Sequence, residues 1–181
     1  MRPKTILNSK HFELTINRLC YELIENHNDF SNTSFIGLQS SGVYLLERIK
    51  RKLQEITKIN TLESGALDIT FHRDDFRRGN EILKASATNI EFSLEGKNVI
   101  LLDDVLFTGR TIRAAMDALL AYGRPEKVEL LVFIDRRFKR HLPIQPDYIG
   151  KTVDSITEER VEVKWQQIDK EDKVILYSPA K

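Results

Sequence analysis

Val99-Ile100-Leu101-Leu102-Asp103-Asp104-Val105-Leu106-Phe107-Thr108-Gly109-Arg110-Thr111 decides the fold of this chain. Four consecutive apolar residues, Val99 to Leu102, fit a strand buried on both faces, as in a parallel sheet. Two adjacent acids end that run, and a short spacer leads to Thr-Gly-Arg-Thr. Residues 112–122 then repeat apolar side chains at helical spacing, with Ala115, Met116 and Leu119 expected to face the sheet. Gly123 suits the position just past that helix, and Pro125 prevents its continuation. Residues 128–134 form the next apolar run, so the segment reads as one strand–helix–strand unit.

The alternation continues on both sides. Residues 9–27 read as a helix, with Phe12, Ile16, Leu19 and Leu23 on one face and Ser9 able to cap it. Residues 34–38 read as a strand, and residues 43–56 as a helix with Leu46, Ile49 and Leu53 on one face. Residues 66–72 alternate as a strand, with Leu67, Ile69 and Phe71 opposite Asp68, Thr70 and His72. Residues 73–91 are polar and read as a long loop, a length usually reserved for lids or binding loops. Residues 160–165 and 173–177 read as closing strands. The expectation is an α/β fold with a central, mostly parallel sheet flanked by helices, in one domain over 1–181.

Bulk properties narrow the class of function. Of 181 residues, 28 are Lys or Arg and 27 are Asp or Glu, giving a formal net charge of +1. That balance argues against non-specific nucleic-acid binding. The lone cysteine, Cys20, can form no intrachain disulfide, and its neighbours Leu19 and Leu23 place it on the apolar helix face as a small core residue. The first residues lead into no long apolar run, so neither a signal peptide nor a membrane helix is expected, and a cytoplasmic location follows as the default.

Chemistry concentrates at the end of the central strand, where open parallel sheets bind their ligands. Thr108, Gly109, Arg110 and Thr111 supply hydroxyls, a flexible glycine and backbone N–H groups at a helix start, which together suit a phosphate. Asp103 and Asp104 cannot favourably touch that same phosphate. They can accept hydrogen bonds from sugar hydroxyls and help hold a hydrated divalent cation. A Thr-Gly turn alone is usually a helix cap, and an acidic pair alone is usually solvated. The conjunction with a buried strand is much rarer. It matches neither the dinucleotide fingerprint nor the Walker loop, whose glycine spacing and lysine it lacks.

The stretch 99–111 resembles the 5-phosphoribosyl 1-pyrophosphate motif of type I phosphoribosyltransferases. Residues 99–119 with Gly123-Arg124-Pro125, residues 67–75, Leu142-Pro143-Ile144 and residues 147–151 resemble one family more closely, the bifunctional pyrimidine operon regulators and uracil phosphoribosyltransferases (PyrR). The similarity runs in order over nearly the whole chain. It implies the type I phosphoribosyltransferase fold with a small hood, and transfer of ribose 5-phosphate to uracil, giving UMP and pyrophosphate with Mg²⁺. It implies that Asp103 and Asp104 hold the ribose hydroxyls and, through ribose and water, the metal. Thr108, Gly109, Arg110 and Thr111 would hold the 5′-phosphate. The turn Leu38-Gln39-Ser40-Ser41-Gly42 would be the pyrophosphate loop, with Ser40-Ser41 replacing the family's Thr-Arg pair and so removing a cationic contact. A homo-oligomer, dimer or tetramer, is also implied.

Closure would fall to residues 73–91, with Arg73, Asp74, Asp75 and Arg77 as lid residues. Related purine enzymes carry an acid just before the Thr-Gly turn. Phe107 stands there instead and points to a pyrimidine, whereas the resembled family typically has Tyr. Asp135 and Arg136 fall where the resemblance puts the uracil pocket. The alternative reading is a UMP-sensing RNA-binding regulator, resting on Arg136, Arg137, Lys139, Arg140 and His141. Tyr21 and Gln145 replace a His and an Arg among the family's RNA contacts, and one extra residue interrupts its Gly-His region at Arg137-Phe138. Weak RNA binding is therefore the expectation.

Overall fold

A computed structural model describes residues 2–70, 88–156 and 158–179. In chain order the elements are β1 (Arg2–Leu7), α1 (Ser9–His27), β2 (Thr33–Leu38), α2 (Gly42–Thr57), β3 (Glu63–Leu67), β4 (Asn98–Leu106), α3 (Arg110–Leu119), β5 (Lys127–Arg137), β6 (Tyr148–Asp154), β7 (Arg160–Lys164), α4 (Gln166–Asp169) and β8 (Lys173–Ser178). Five strands form a parallel sheet in the order β3-β2-β4-β5-β6. A second, antiparallel sheet, the hood, has the order β1-β8-β7 and joins the two ends of the chain.

The sheet is buried on both faces because the middles of its central strands are unbroken apolar runs, Val99 to Leu102 in β4 and Leu130 to Ile134 in β5. Ile100 and Leu102 of β4, with Leu131 and Phe133 of β5, pack on α1, α2 and the hood. Val99 and Leu101, with Leu130 and Val132, pack on α3. Successive strand side chains alternate faces, so each face receives its own share of the run. The first core centres on aromatic rings: Phe12 lies 4.4 Å from Phe133 and meets Trp165 edge-on at 5.2 Å. A buried ion pair, Arg48 Nη2 to Asp172 Oδ2 at 2.6 Å, ties α2 to the hood beside that cluster. Cys20 is buried on α1 as expected, and burial pushes its thiol up to about 12, with Lys52 pulling the other way. The thiol is therefore protonated and unreactive at neutral pH.

Several expectations need correction. The cap of α1 is Asn8, whose side chain accepts from His11 N at 3.0 Å; Ser9 is already helical and donates its hydroxyl to Asp172 O at 2.9 Å. Met116 is 43% exposed, because α3 packs through Ile112, Ala115, Ala118 and Leu119. Small alanines bring that helix close to the sheet and leave the longer Met116 on its flank. The strand expected over 66–72 ends at Leu67, paired with the last residue of β2. Asp68 then turns the chain by accepting from Thr70 N at 2.8 Å and from its hydroxyl at 2.6 Å. Phe71 and His72 lie outside the described residues. The central strand runs beyond Leu102 to Leu106 and carries both acids in register, with Asp103 opposite Val132.

Candidate functional site

The strand order reverses between β2 and β4: from β2 the chain goes outward to β3, and from β4 it goes outward the other way to β5 and β6. A crevice at such a switch point is where open α/β sheets place their ligands. The turn after β2 and the turn after β4 both open there.

The first turn is Gln39-Ser40-Ser41, which leads into α2 at Gly42. Gln39 N donates to Leu67 O at 2.9 Å, which anchors the turn to β3. The Gln39–Ser40 peptide is cis. Gly42 lies flat against β4: a Cβ there would overlap the Leu102 carbonyl oxygen and approach Asp103 Cα at 3.3 Å. Only glycine allows this approach, so the two turns of the crevice are pressed together at the acids. The Ser41 side chain faces Asp104 across the junction and favours its ionised form.

Asp103 is 7% exposed and Asp104 half-buried. Asp104 N donates to Asp103 Oδ1 at 3.0 Å, and Val105 N donates to Asp104 Oδ1 at 2.8 Å. Burial pushes the Asp103 carboxyl well above the usual carboxylate range, and the neighbouring Asp104 charge pushes it further. Burial also raises Asp104, against hydrogen bonds that favour its ionised form. Two desolvated carboxylates side by side are poorly placed alone and gain from donors or a cation.

The second turn ends at Gly109, the N-cap of α3, with φ of 90°. Its carbonyl accepts from Arg113 N at 3.0 Å, which starts the helix. Arg110 and Thr111 form the first turn of α3, where a helix presents its N-terminal amides. Thr108 Oγ1 lies 3.4 Å from Arg110 N. The segment 141–144 straps this turn from outside: His141 N and Leu142 N both donate to Thr108 O, at 3.0 and 3.3 Å. Ile144 Cδ1 would lie 3.2 Å from a Cβ on Gly109.

Phe107, Asp135 and Arg136 come together at the end of β4 and β5. Leu106 is in register with Asp135. The Arg136 guanidinium is buried and sits 3.9 Å over the Phe107 ring. It also donates to Ser155 Oγ at 2.8 Å and to Glu159 O at 2.7 Å, tying the crevice to the start of the hood. The Asp135 carboxylate is paired with Arg140, whose Nη1 donates to Phe107 O at 2.6 Å. Sequence reading missed Arg140 as part of this group, since its partners lie 5 and 33 residues away and no local periodicity links them. Arg73, Asp74, Asp75 and Arg77 lie outside the described residues. Among the described residues no group of three or more His, Cys, Asp or Glu could hold a metal ion. Among the described residues no helix is long and apolar enough to cross a membrane.

Comparisons with known proteins agree with this geometry. The phosphoribosyl transferase domain model matches residues 3–168. The chain is 39% identical over 173 residues to the bifunctional protein PyrR of Actinobacillus pleuropneumoniae serotype 5b, covering 96% of each chain. It is 40% identical over 173 residues to that of Elusimicrobium minutum, again covering 96% of each. Among solved structures, a hypoxanthine phosphoribosyltransferase of Trypanosoma cruzi superposes with a TM-score of 0.71 at 13% identity, covering 98% of this chain and 97% of that one. One from Staphylococcus aureus gives 0.67 at 16%, covering 95% and 90%. At such identities these structures speak for the fold alone.

Proposed function

The chain belongs to the phosphoribosyl transferase family and, within it, to the bifunctional PyrR proteins, and from that premise we propose that it is a uracil phosphoribosyltransferase. It moves ribose 5-phosphate from 5-phosphoribosyl 1-pyrophosphate to uracil, giving UMP and pyrophosphate. The observation that carries this reading is the Asp103-Asp104 pair, held between the Ser40–Gly42 turn and the α3 N-terminus at the switch point.

Each part of the crevice has a task that its chemistry suits. The turn Thr108-Gly109-Arg110-Thr111 takes the 5′-phosphate on helix-start amides and hydroxyls. Asp103 and Asp104 accept from the ribose 2′ and 3′ hydroxyls. The Ser40-Ser41-Gly42 turn faces the pyrophosphate through hydroxyls and amides, without a cationic side chain of its own. Breaking the anomeric C–O bond develops oxocarbenium character, so the protein must chiefly position the base and stabilise the leaving pyrophosphate. Mg²⁺ fits the site's chemistry. The described residues offer two adjacent, partly desolvated carboxylates, which suit a hydrated cation shared with a phosphorylated substrate. When bound, it would neutralise pyrophosphate charge. Phe107, whose side chain has no acceptor for a purine proton, favours a pyrimidine. Pyrophosphate release measured over a panel of bases tests the reading.

A second reading, RNA binding governed by UMP, is suggested by the bifunctional relatives. The charges here weigh against a strong form of it. Arg136 is buried and Arg140 pairs with the buried Asp135, so two of the five basic residues at 136–141 are held internally, and a third, Arg137, is paired at the surface with Asp154 at 2.6 Å. The expected result of a gel shift with a pyrimidine-operon leader hairpin is weak binding, little improved by UMP. Its salt slope should be shallow, since each phosphate neutralised contributes about 0.7–0.9. Nanomolar, UMP-enhanced binding that is lost on substituting Lys139 and Arg140 would reverse the ranking of the two activities.

A further inference from the structure

We propose that Arg140 is a positioning residue that sets the preference for a base with two ring carbonyls. This inference rests on the transferase reading above and deepens it. Two hydrogen-bond acceptors stand at the base end of the crevice: the Asp135 carboxylate, itself only 7% exposed, and the Phe107 main-chain carbonyl. A buried carboxylate with open lone pairs would attract a base rich in N–H donors, such as cytosine or guanine with their exocyclic amino groups. Arg140 engages both acceptors at once. One terminal nitrogen donates to Phe107 O at 2.6 Å and the other pairs with Asp135.

The consequence is a change in what the pocket offers. Its acceptors are satisfied, and the guanidinium, with its side chain 23% exposed, keeps N–H groups to give. A pocket dominated by donors suits uracil, whose ring carries a carbonyl on each side of N3. Cytosine puts an amino donor in place of one of them and meets a donor. The planar fork matters as well as the charge, because only a guanidinium can span the carbonyl and the carboxylate together.

The test uses the full chain as wild type, Arg140→Lys and Arg140→Ala. Steady-state constants are measured for uracil, for cytosine and for 5-phosphoribosyl 1-pyrophosphate, and melting is followed alongside. Arg140→Ala leaves Asp135 buried and unpaired and is the variant more prone to misfold. Arg140→Lys keeps a charge beside Asp135 but cannot bridge to Phe107. Arg140→Lys should melt near wild type. Its KM for uracil should rise about tenfold or more, its KM for 5-phosphoribosyl 1-pyrophosphate should stay within about twofold, and the ratio of uracil to cytosine kcat/KM should fall. Arg140→Ala, if folded, should exceed it in each respect. An active wild type with an unchanged uracil KM and base ratio in Arg140→Lys overturns the proposal alone. So does a parallel rise of both substrates' KM values. A wild type that transfers to no base overturns the transferase reading and this inference with it.

Discussion

Asp104→Asn should lower kcat/KM for 5-phosphoribosyl 1-pyrophosphate by about 10- to 150-fold without weakening the fold. A hydrogen bond to a charged group contributes about 1.5–3 kcal/mol, and each 1.4 kcal/mol is about a factor of ten. Asparagine keeps an oxygen for Val105 N, which donates to Asp104 Oδ1 at 2.8 Å, so the local backbone has no reason to move. The charge it removes is one the ligand-free protein holds at a cost. Burial raises Asp103 and Asp104, and each lies beside the other. A carboxyl that binds its proton more tightly folded than unfolded favours the fold at low pH. That contribution is lost as pH climbs from the ordinary aspartate range through the raised one. Asp103→Asn and Asp104→Asn should melt no lower than wild type without ligand, and their advantage should grow as pH rises through that window. Thermal melts at several pH values, paired with kinetics, check both halves. Unchanged kcat/KM would remove the ribose role, and a melting point several degrees lower would remove the electrostatic account.

Gly42→Ala should be damaging in both stability and activity. Its new methyl would overlap the Leu102 carbonyl oxygen and crowd Asp103 Cα, and neither is the end of a flexible side chain. Backbone must give way, at about 1–3 kcal/mol for overpacking of this kind. The movement separates the Ser40-Ser41 turn from the acids it is proposed to work with, so kcat/KM should fall by more than about tenfold. Gly96→Ala is the control. Gly96 has φ of 66° with nothing within 4 Å of a Cβ, so its loss should cost about 1–2 kcal/mol of conformational strain and leave activity intact. Equal activity in Gly42→Ala and wild type would mean that the contact between the two turns is incidental.

What could be read from the chain followed the range of the interactions. The helix at 9–27 and the apolar central strand are written in local periodicity and stand where expected, and Gly123 ends a 3-10 turn, Leu120–Tyr122, that prolongs α3 beyond Leu119. The acids and the Thr-Gly turn were legible because a strand, a charge pair and a helix start are contiguous. Strands β1 and β6 were not seen. β1 is mostly exposed and gains its partner only at β8, at the far end of the chain, and β6 pairs along the edge of the sheet. Met116 was misplaced because helical spacing alone does not say which flank small alanines will bring against the sheet. The grip of Arg136 on Ser155 and Glu159, and that of Arg140 on Phe107, join residues 19 to 33 positions apart. Such pairings depend on the register of β4 and β5, which no single segment encodes. Arg140 reads as surface charge until the sheet brings its partners in, and Arg136, expected in the uracil pocket, carries no local sign of its bonds to Ser155 and Glu159.

The central claim is transfer to uracil, and the measurement that meets it most directly is pyrophosphate release by the full chain from 5-phosphoribosyl 1-pyrophosphate and Mg²⁺, with uracil, cytosine, hypoxanthine and guanine offered in turn. Phe107 where a purine-contacting acid would stand, and Asp135 engaged by Arg140, predict the fastest release with uracil and little with either purine. Faster release with hypoxanthine or guanine than with uracil, or no release with any base, would contradict the account.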